Sequence, residues 1–370
     1  MLLLVGCREA NDDARVAPAL SVASVTSDLC LPTLPTPPFA YADADAPIPR
    51  SLLESTAGTV MFTDNTPPTN RATNAGAMLG RVLFYDRRMS ANNRVACASC
   101  HRQAFGFGDT ARVGRRVHGK RARRTMALAN ARFYAYGRFF WDERASTLEA
   151  QVLEPIQGAD EMGMTVDTLV AKLQAIPYYP ALFAAAFGSP RVTRDGVAAA
   201  LAQFVRSLTS GSSRFDAAFS TGGAPDLSRL SPHERDGFRL FVRVGCVNCH
   251  RTAAQIPDQA SNIGLDDVSA DTGAGGGRFK PPSLRNVAVR PPYMHDGRFA
   301  SLREVVDFYA TAVRNAPGLD PRLRGADGQP RRLHLDSHQR DDLVAFLESL
   351  TDTAFLHADR FSDPFRCGDM

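Results

Sequence analysis

Two pentapeptides constrain this 370-residue chain more than anything else in it: Cys97-Ala98-Ser99-Cys100-His101 and Cys246-Val247-Asn248-Cys249-His250. Each is a CxxCH segment, in which two thiols can form thioethers to the vinyl groups of a haem while the adjacent imidazole reaches the iron from one face. A chain with seven cysteines and eight histidines contains two such segments by chance only rarely. Zinc would need both pairs to converge on one tetrahedral site and would leave the two histidines unexplained. The spacing therefore predicts two covalent c-type haems. Cys97 and Cys100 bind the first with His101 on its iron, and Cys246 and Cys249 bind the second with His250.

Composition fits a soluble globular chain of two domains plus tails, with 44% hydrophobic and 22% charged residues. A net charge of +4 is too mild to argue for nucleic acid as a partner, and no apolar run is long enough to span a bilayer. Three cysteines lie near the chain ends. Met1 to Cys7 resembles the last part of a lipoprotein signal, with Gly6 before a cysteine that would carry lipid; either it belongs to a longer export signal or the likeness is accidental. Cys30 and Cys367 either pair as a disulfide in an oxidising compartment or remain two free thiols. Because bacterial c-type haem is attached outside the cytoplasmic membrane, the periplasm or cell envelope is the expected location, with Cys7 as a lipid anchor.

The expected fold is mainly α, two cytochrome c-like domains with one covalent haem each. Residues 1–70 read as a signal remnant, tether and Pro-rich extended arm, 71–222 as the first haem domain, 223–355 as the second, and 356–370 as a tail. Helical periodicity is expected from Asn74, with Leu79, Val82 and Leu83 on one face, and at about 146–155, 165–175, 178–187 and 194–209. Ser231-Pro232-His233-Glu234 is a capping box with proline at the first helical position. Further helices are expected at 302–312 and about 338–350.

Several separated blocks resemble the bacterial di-haem cytochrome c peroxidase and MauG family. They are Leu79 to Asp86, Phe140-Trp141-Asp142-Glu143-Arg144, Gln151 to Met162, Lys280 to Asn286, and Pro292-Tyr293-Met294-His295-Asp296-Gly297. The resemblance implies a peroxidatic haem on His101, where hydrogen peroxide reacts, and an electron-transfer haem on His250. It further implies Glu161 as the distal acid/base, Gln151 as a polar orienting group, Pro155 as a pocket wall, and Trp141 as an electron relay between the haems. Arg285 is implied at the cofactor. His118 lies in the loop that closes the resting first haem in some members. Counting fourteen residues beyond His295 reaches Tyr309, implied as the second ligand of the C-terminal haem, with Met294 as the alternative. A phenolate favours oxidised iron, whereas a methionine raises the potential.

Members often hold calcium between the haems, but the best-matching positions here carry Arg124 and Arg290, so calcium is doubtful and a guanidinium is expected to supply the charge. The basic run Arg112, Arg115, Arg116, Lys120, Arg121, Arg123 and Arg124 is expected to meet haem propionates or an acidic redox partner. The resemblance implies reduction of hydrogen peroxide to water with electrons from a small redox protein such as a cytochrome c or cupredoxin. Its alternative is a di-haem oxidase that modifies a protein partner while both haems hold oxidising equivalents. A passive electron-transfer cytochrome would need neither Gln151 nor Glu161. A homodimer is compatible with the resemblance.

Overall fold

The computed structural model describes residues 30–53, 60–111, 123–219 and 225–365. The architecture is helical, and among the described residues the only β pairings are isolated bridges. In the N-terminal unit, α1 (Asn74–Tyr85) begins where the Thr73 hydroxyl accepts from the Gly76 amide at 3.0 Å. Its apolar face, with Leu79, Val82 and Leu83 fully buried, is the one the 3.6-residue period requires. Helices α2 (Val166–Gln174) and α3 (Tyr179–Phe187) flank it, and α4 (Arg194–Ser207) crosses it so closely that a Cβ on Gly80 would collide with the Ala200 carbonyl. The helix expected over 146–155 is instead two turns, Leu148–Gln151 and Glu154–Gln157. Pro155 has no N–H to continue the ladder, which accounts for the break.

After α5 (Arg214–Phe219), the C-terminal unit repeats the plan. Helix α6 (Pro232–Arg243) opens on the expected capping box, in which Ser231 and Glu234 exchange hydrogen bonds. It packs on α8 (Ser337–Ser349), and a Cβ on Gly237 would run into the Asp342 carbonyl. Between them, α7 (Leu302–Asp307) passes into a π-helical turn, Phe308–Ala312.

The chain ends do not stay with their neighbours in sequence. Phe355 and Phe361 belong to the N-terminal core, with ring centroids 5.7 and 6.3 Å from Phe107. Gln103 donates to the Phe355 and Ala358 carbonyls, and the Tyr85 and Tyr41 hydroxyls donate to those of Phe361 and Arg360. The arm contributes Tyr41 to the same core and Leu52 to a cluster that joins Phe133 and Tyr134 to Ala253 and Ile256. Pro32 pairs antiparallel with Phe365, and Cys30 is disulfide-bonded. Cys367, its expected partner, lies outside the described residues, as does Cys7.

Two buried polar groups hold the seam between the units. The Asp352 carboxylate accepts from Ser210 Oγ and the Gly211, Ser212 and Phe355 amides at 2.9–3.1 Å, while Asn286 accepts from the Asp352 amide and donates to Ser210. Lys280 lies under Tyr134 and Phe139, its Nζ 4.4 and 4.7 Å from the two ring centroids. Burial drives the ammonium down to about 8, against the pull of the Glu143 carboxylate.

Asp352→Ala leaves four donors at a buried seam without their acceptor, and is expected to cost about 3 kcal/mol or more in denaturant unfolding of the haem-loaded protein. A loss below about 1 kcal/mol would remove the seam from the stability account. For Lys280, the unfolded chain binds the proton more tightly than the folded one. Stability therefore rises with pH between about 8 and the ordinary lysine value of about 10.4, by about 3 kcal/mol at most. Lys280→Met should flatten that rise in unfolding measured across the window.

Candidate functional site

Each CxxCH segment folds as a single 3₁₀ turn, Cys97–Ser99 and Cys246–Asn248. In the first, the His101 amide donates to the Cys97 carbonyl at 2.9 Å; in the second, His250 donates to Cys246 at 3.1 Å. This turn sets both thiols and the imidazole at one place. None of the four cysteines is in a disulfide. His101 Nδ1 lies 3.0 Å from the Phe107 carbonyl and His250 Nδ1 3.2 Å from that of Gln255. A carbonyl only accepts, so Nδ1 carries the proton and Nε2 is left with its lone pair for a metal. Burial keeps both rings neutral, lowering His101 and taking His250 to about 4. The same burial pushes the Cys97 and Cys246 thiols up to about 12.

A largely apolar cavity of about 270 Å³ opens beside the second segment. Cys246, Cys249, His250, Trp141, Met294 and Tyr309 are among its walls. Tyr309 is carried by the π-helical turn, and burial raises its phenol well above the ordinary range. The Nε of Arg290 on the same wall is buried and has no hydrogen-bond partner among the described residues. An apolar cavity with two thiols, a neutral imidazole, a phenol and a guanidinium nitrogen left unpaired fits a haem. The imidazole and Tyr309 or Met294 suit its iron, and Arg290 suits a propionate. Met294 sits at φ +71°, in the turn closed by the Tyr293 amide on the Phe299 carbonyl.

On the N-terminal side, Phe84 and Phe107 stand behind His101, with the Phe84 ring centroid 6.4 Å away. Glu161 is close enough to Cys100 for its charge to help raise that thiol, after burial. The loop that holds Glu161 is tight. The Glu161 amide donates to Gly158 at 2.9 Å and the Met162 amide to Pro155 at 3.3 Å. A Cβ on Gly158 would lie 2.8 Å from Glu161 Oε2, so the carboxylate folds back over the glycine. The loop that carries Glu161 is thus tied back to Pro155 in the turn Glu154–Gln157, and Gln151 is half-buried on the turn before that. His118 lies outside the described residues.

Trp141 bridges the two units. Its indole N–H donates to the Arg124 carbonyl at 2.7 Å, its own carbonyl accepts from the Lys280 amide at 2.9 Å, and its ring meets His295 edge-on with centroids 6.4 Å apart. Among the described residues the Arg124 guanidinium donates to backbone carbonyls: Asp109 and Ala111 from one unit, Arg290, Pro291 and Pro292 from the other. A positive charge therefore occupies the carbonyl cluster between the units.

Two arginines singled out in the sequence are already engaged by the protein. Arg285 is fully buried in an ion pair with Asp216 at 2.7 Å, and it also donates to Ser213 and to the Ala253 carbonyl. Arg123 is not available to a partner, because it binds Asp142 at 2.6 Å and Asp271 at 2.7 Å across the seam. The other basic-loop residues, Arg112, Arg115, Arg116, Lys120 and Arg121, lie outside the described residues. Lys280, which the sequence offered only as part of a block, stands beside Trp141; a lysine followed by two prolines carries no signal of burial.

The family model described as di-haem cytochrome c peroxidase matches residues 74–223, and that of cytochrome c matches 234–351. The methylamine utilization protein MauG of Methylorubrum extorquens is 37% identical over 301 residues, covering 77% of this chain and 80% of the relative. The cytochrome c551 peroxidase of Nitrosomonas europaea is 31% identical over 62% of this chain and 71% of its own length. A solved structure of a MauG-like protein associated with microbial copper homeostasis superposes with a TM-score of 0.70 at 31% identity, covering 82% of this chain and 97% of that one. The chain belongs to the di-haem cytochrome c peroxidase and MauG family, as a peroxidase-type oxidoreductase with two c-type haems.

Proposed function

We propose that this enzyme takes two oxidising equivalents from hydrogen peroxide at the His101 haem and holds them across both haems while it draws electrons from a protein partner, in the manner of a MauG-type oxidase. The observation that carries this reading is Tyr309: a phenol brought by a π-helical turn to the wall of the largely apolar cavity that contains His250. A haem supplies a redox-active iron at which the O–O bond can be reduced. With haem bound, Tyr309 would release its proton to solvent and could serve as a hard anionic ligand, which favours the oxidised metal and suits storage of oxidising equivalents. Glu161 takes a proton from the incoming peroxide and delivers it to the departing oxygen, Gln151 orients the peroxide, and Pro155 limits the pocket. Two protons and two electrons then convert one peroxide into two waters. Trp141 carries the electrons between the units, and Arg124 sets its position and the local positive charge.

A second reading rests on Met294, which lines the same cavity. With methionine on the iron, the C-terminal haem would accept electrons from a small cytochrome c or cupredoxin, and the chain would act as a cytochrome c peroxidase. Covalent haem attachment and the Cys30 disulfide suit a periplasmic or cell-envelope enzyme under either reading, with Cys7 as a lipid attachment point.

One equivalent of peroxide added to the oxidised enzyme without a donor separates the two. A long-lived spectral change at both haems is expected, and it should be lost in Tyr309→Phe; rapid return with a reduced cytochrome favours the second reading. Glu161→Gln should slow peroxide turnover by about 10²–10⁴-fold with haem content intact, and unchanged turnover removes it from the mechanism. Chelators should leave turnover unaltered, whereas Arg124→Ala should slow electron exchange between the haems. A chelator-sensitive enzyme would return the carbonyl cluster to a metal.

A further inference from the structure

On the outer face of the helix pair that backs the C-terminal haem cavity, His233, His338 and Asp342 form a cluster that the peroxide chemistry does not use. His233 stands in the first turn of α6, and His338 and Asp342 stand four residues apart on one face of α8. Asp342 is buried, whereas the two imidazoles are 60% and 70% exposed. His233 Nδ1 lies 2.6 Å from one carboxylate oxygen and His338 Nδ1 3.1 Å from the other, and the three potential ligand atoms all lie within 4.8 Å of one another.

The scaffold under this cluster is rigid. Both histidine-bearing turns are fixed by capping boxes, Ser231 with Glu234 and Asp336 with Gln339. Gly237 lets the two helices approach until a side chain would strike the Asp342 carbonyl, which fixes the carboxylate between the rings. Two imidazoles and one carboxylate on one side, with open solvent on the other, are the ligand set of a borderline first-row divalent ion that keeps water in its remaining positions. We propose that His233, His338 and Asp342 bind one divalent ion of the zinc or copper class.

Metal–ligand distances near 2.0–2.2 Å put ligand atoms about 3–3.5 Å apart, so small rotations of the exposed rings complete the site. In the neutral tautomer that carries its one ring proton on Nε2, each imidazole offers the Nδ1 lone pair to the ion. The partial positive charges of two helix N-termini oppose the ion, so affinity is expected in the micromolar rather than the nanomolar range. Leu343 and Leu347 of α8 and Phe241 of α6 line the haem cavity on the inner face, so the ion would tie together the outer ends of the two helices that form that wall.

The test is calorimetric titration of the haem-loaded protein with zinc chloride, alongside His233→Ala and His338→Ala. One equivalent should bind the parent protein, each variant should weaken it by tenfold or more, and the haem absorption spectra should be the same in all three. Absence of binding to the parent protein overturns the proposal. So does undiminished affinity in both variants, which would assign the ion to another site. If a variant fails to load haem, Asp342→Asn, which retains the packing volume, is the substitute, with the same loss expected.

Discussion

A single guanidinium organises the seam between the two haem units. Among the described residues Arg124 donates to carbonyl oxygens from both units, so what its hydrogen bonds satisfy is a convergence of backbone dipoles. Charge-assisted hydrogen bonds contribute about 1.5–3 kcal/mol each, and several are needed to offset the cost of burying the ion. The same residue presents its own carbonyl to the Trp141 indole, so the cation and the aromatic ring are positioned together. A mobile ion could leave the cluster; a tethered one cannot. Arg123, the next residue back, adds a second tie by bridging Asp142 and Asp271.

Around this seam, two copies of one attachment plan have been turned to different ends. The 3₁₀ turns, the histidine Nδ1 contacts to carbonyls and the glycine-mediated helix crossings are alike in both units. What differs lies opposite the imidazoles. On one side a hydrogen-bonded loop places a carboxylate near the haem thiols, where protons can be exchanged with water. On the other, a π-helical turn brings a phenol to an apolar cavity, where burial penalises any charge that a metal does not neutralise. Under the proposed function, the division of labour would follow from solvent access and from which donor meets the iron.

Much of this was legible in sequence because it is local. CxxCH is a contiguous motif, the Ser231 capping box spans four residues, and Leu79, Val82 and Leu83 fall on one helical face whatever surrounds them. What could not be read is what depends on partners far along the chain. Arg285 was implied at the cofactor because it lies within the family block Lys280 to Asn286, yet Asp216, 69 positions earlier, binds its guanidinium. Pro155 was read as a wall, but its missing N–H also splits the helix that periodicity alone would draw through it. The π-helical turn under Tyr309 is invisible to a pattern with a period of 3.6, because one extra residue per turn shifts the register without changing the composition.

Phe355 and Phe361 give the architecture an order in time. Their rings fill the core around Phe107 and Phe204, yet they are made after the whole second unit. A ribosome releases Phe107 long before either exists, so the first haem unit stays open on that face throughout synthesis of the second and is sealed only by residues that follow it. The latch for the first unit is thus translated after the second.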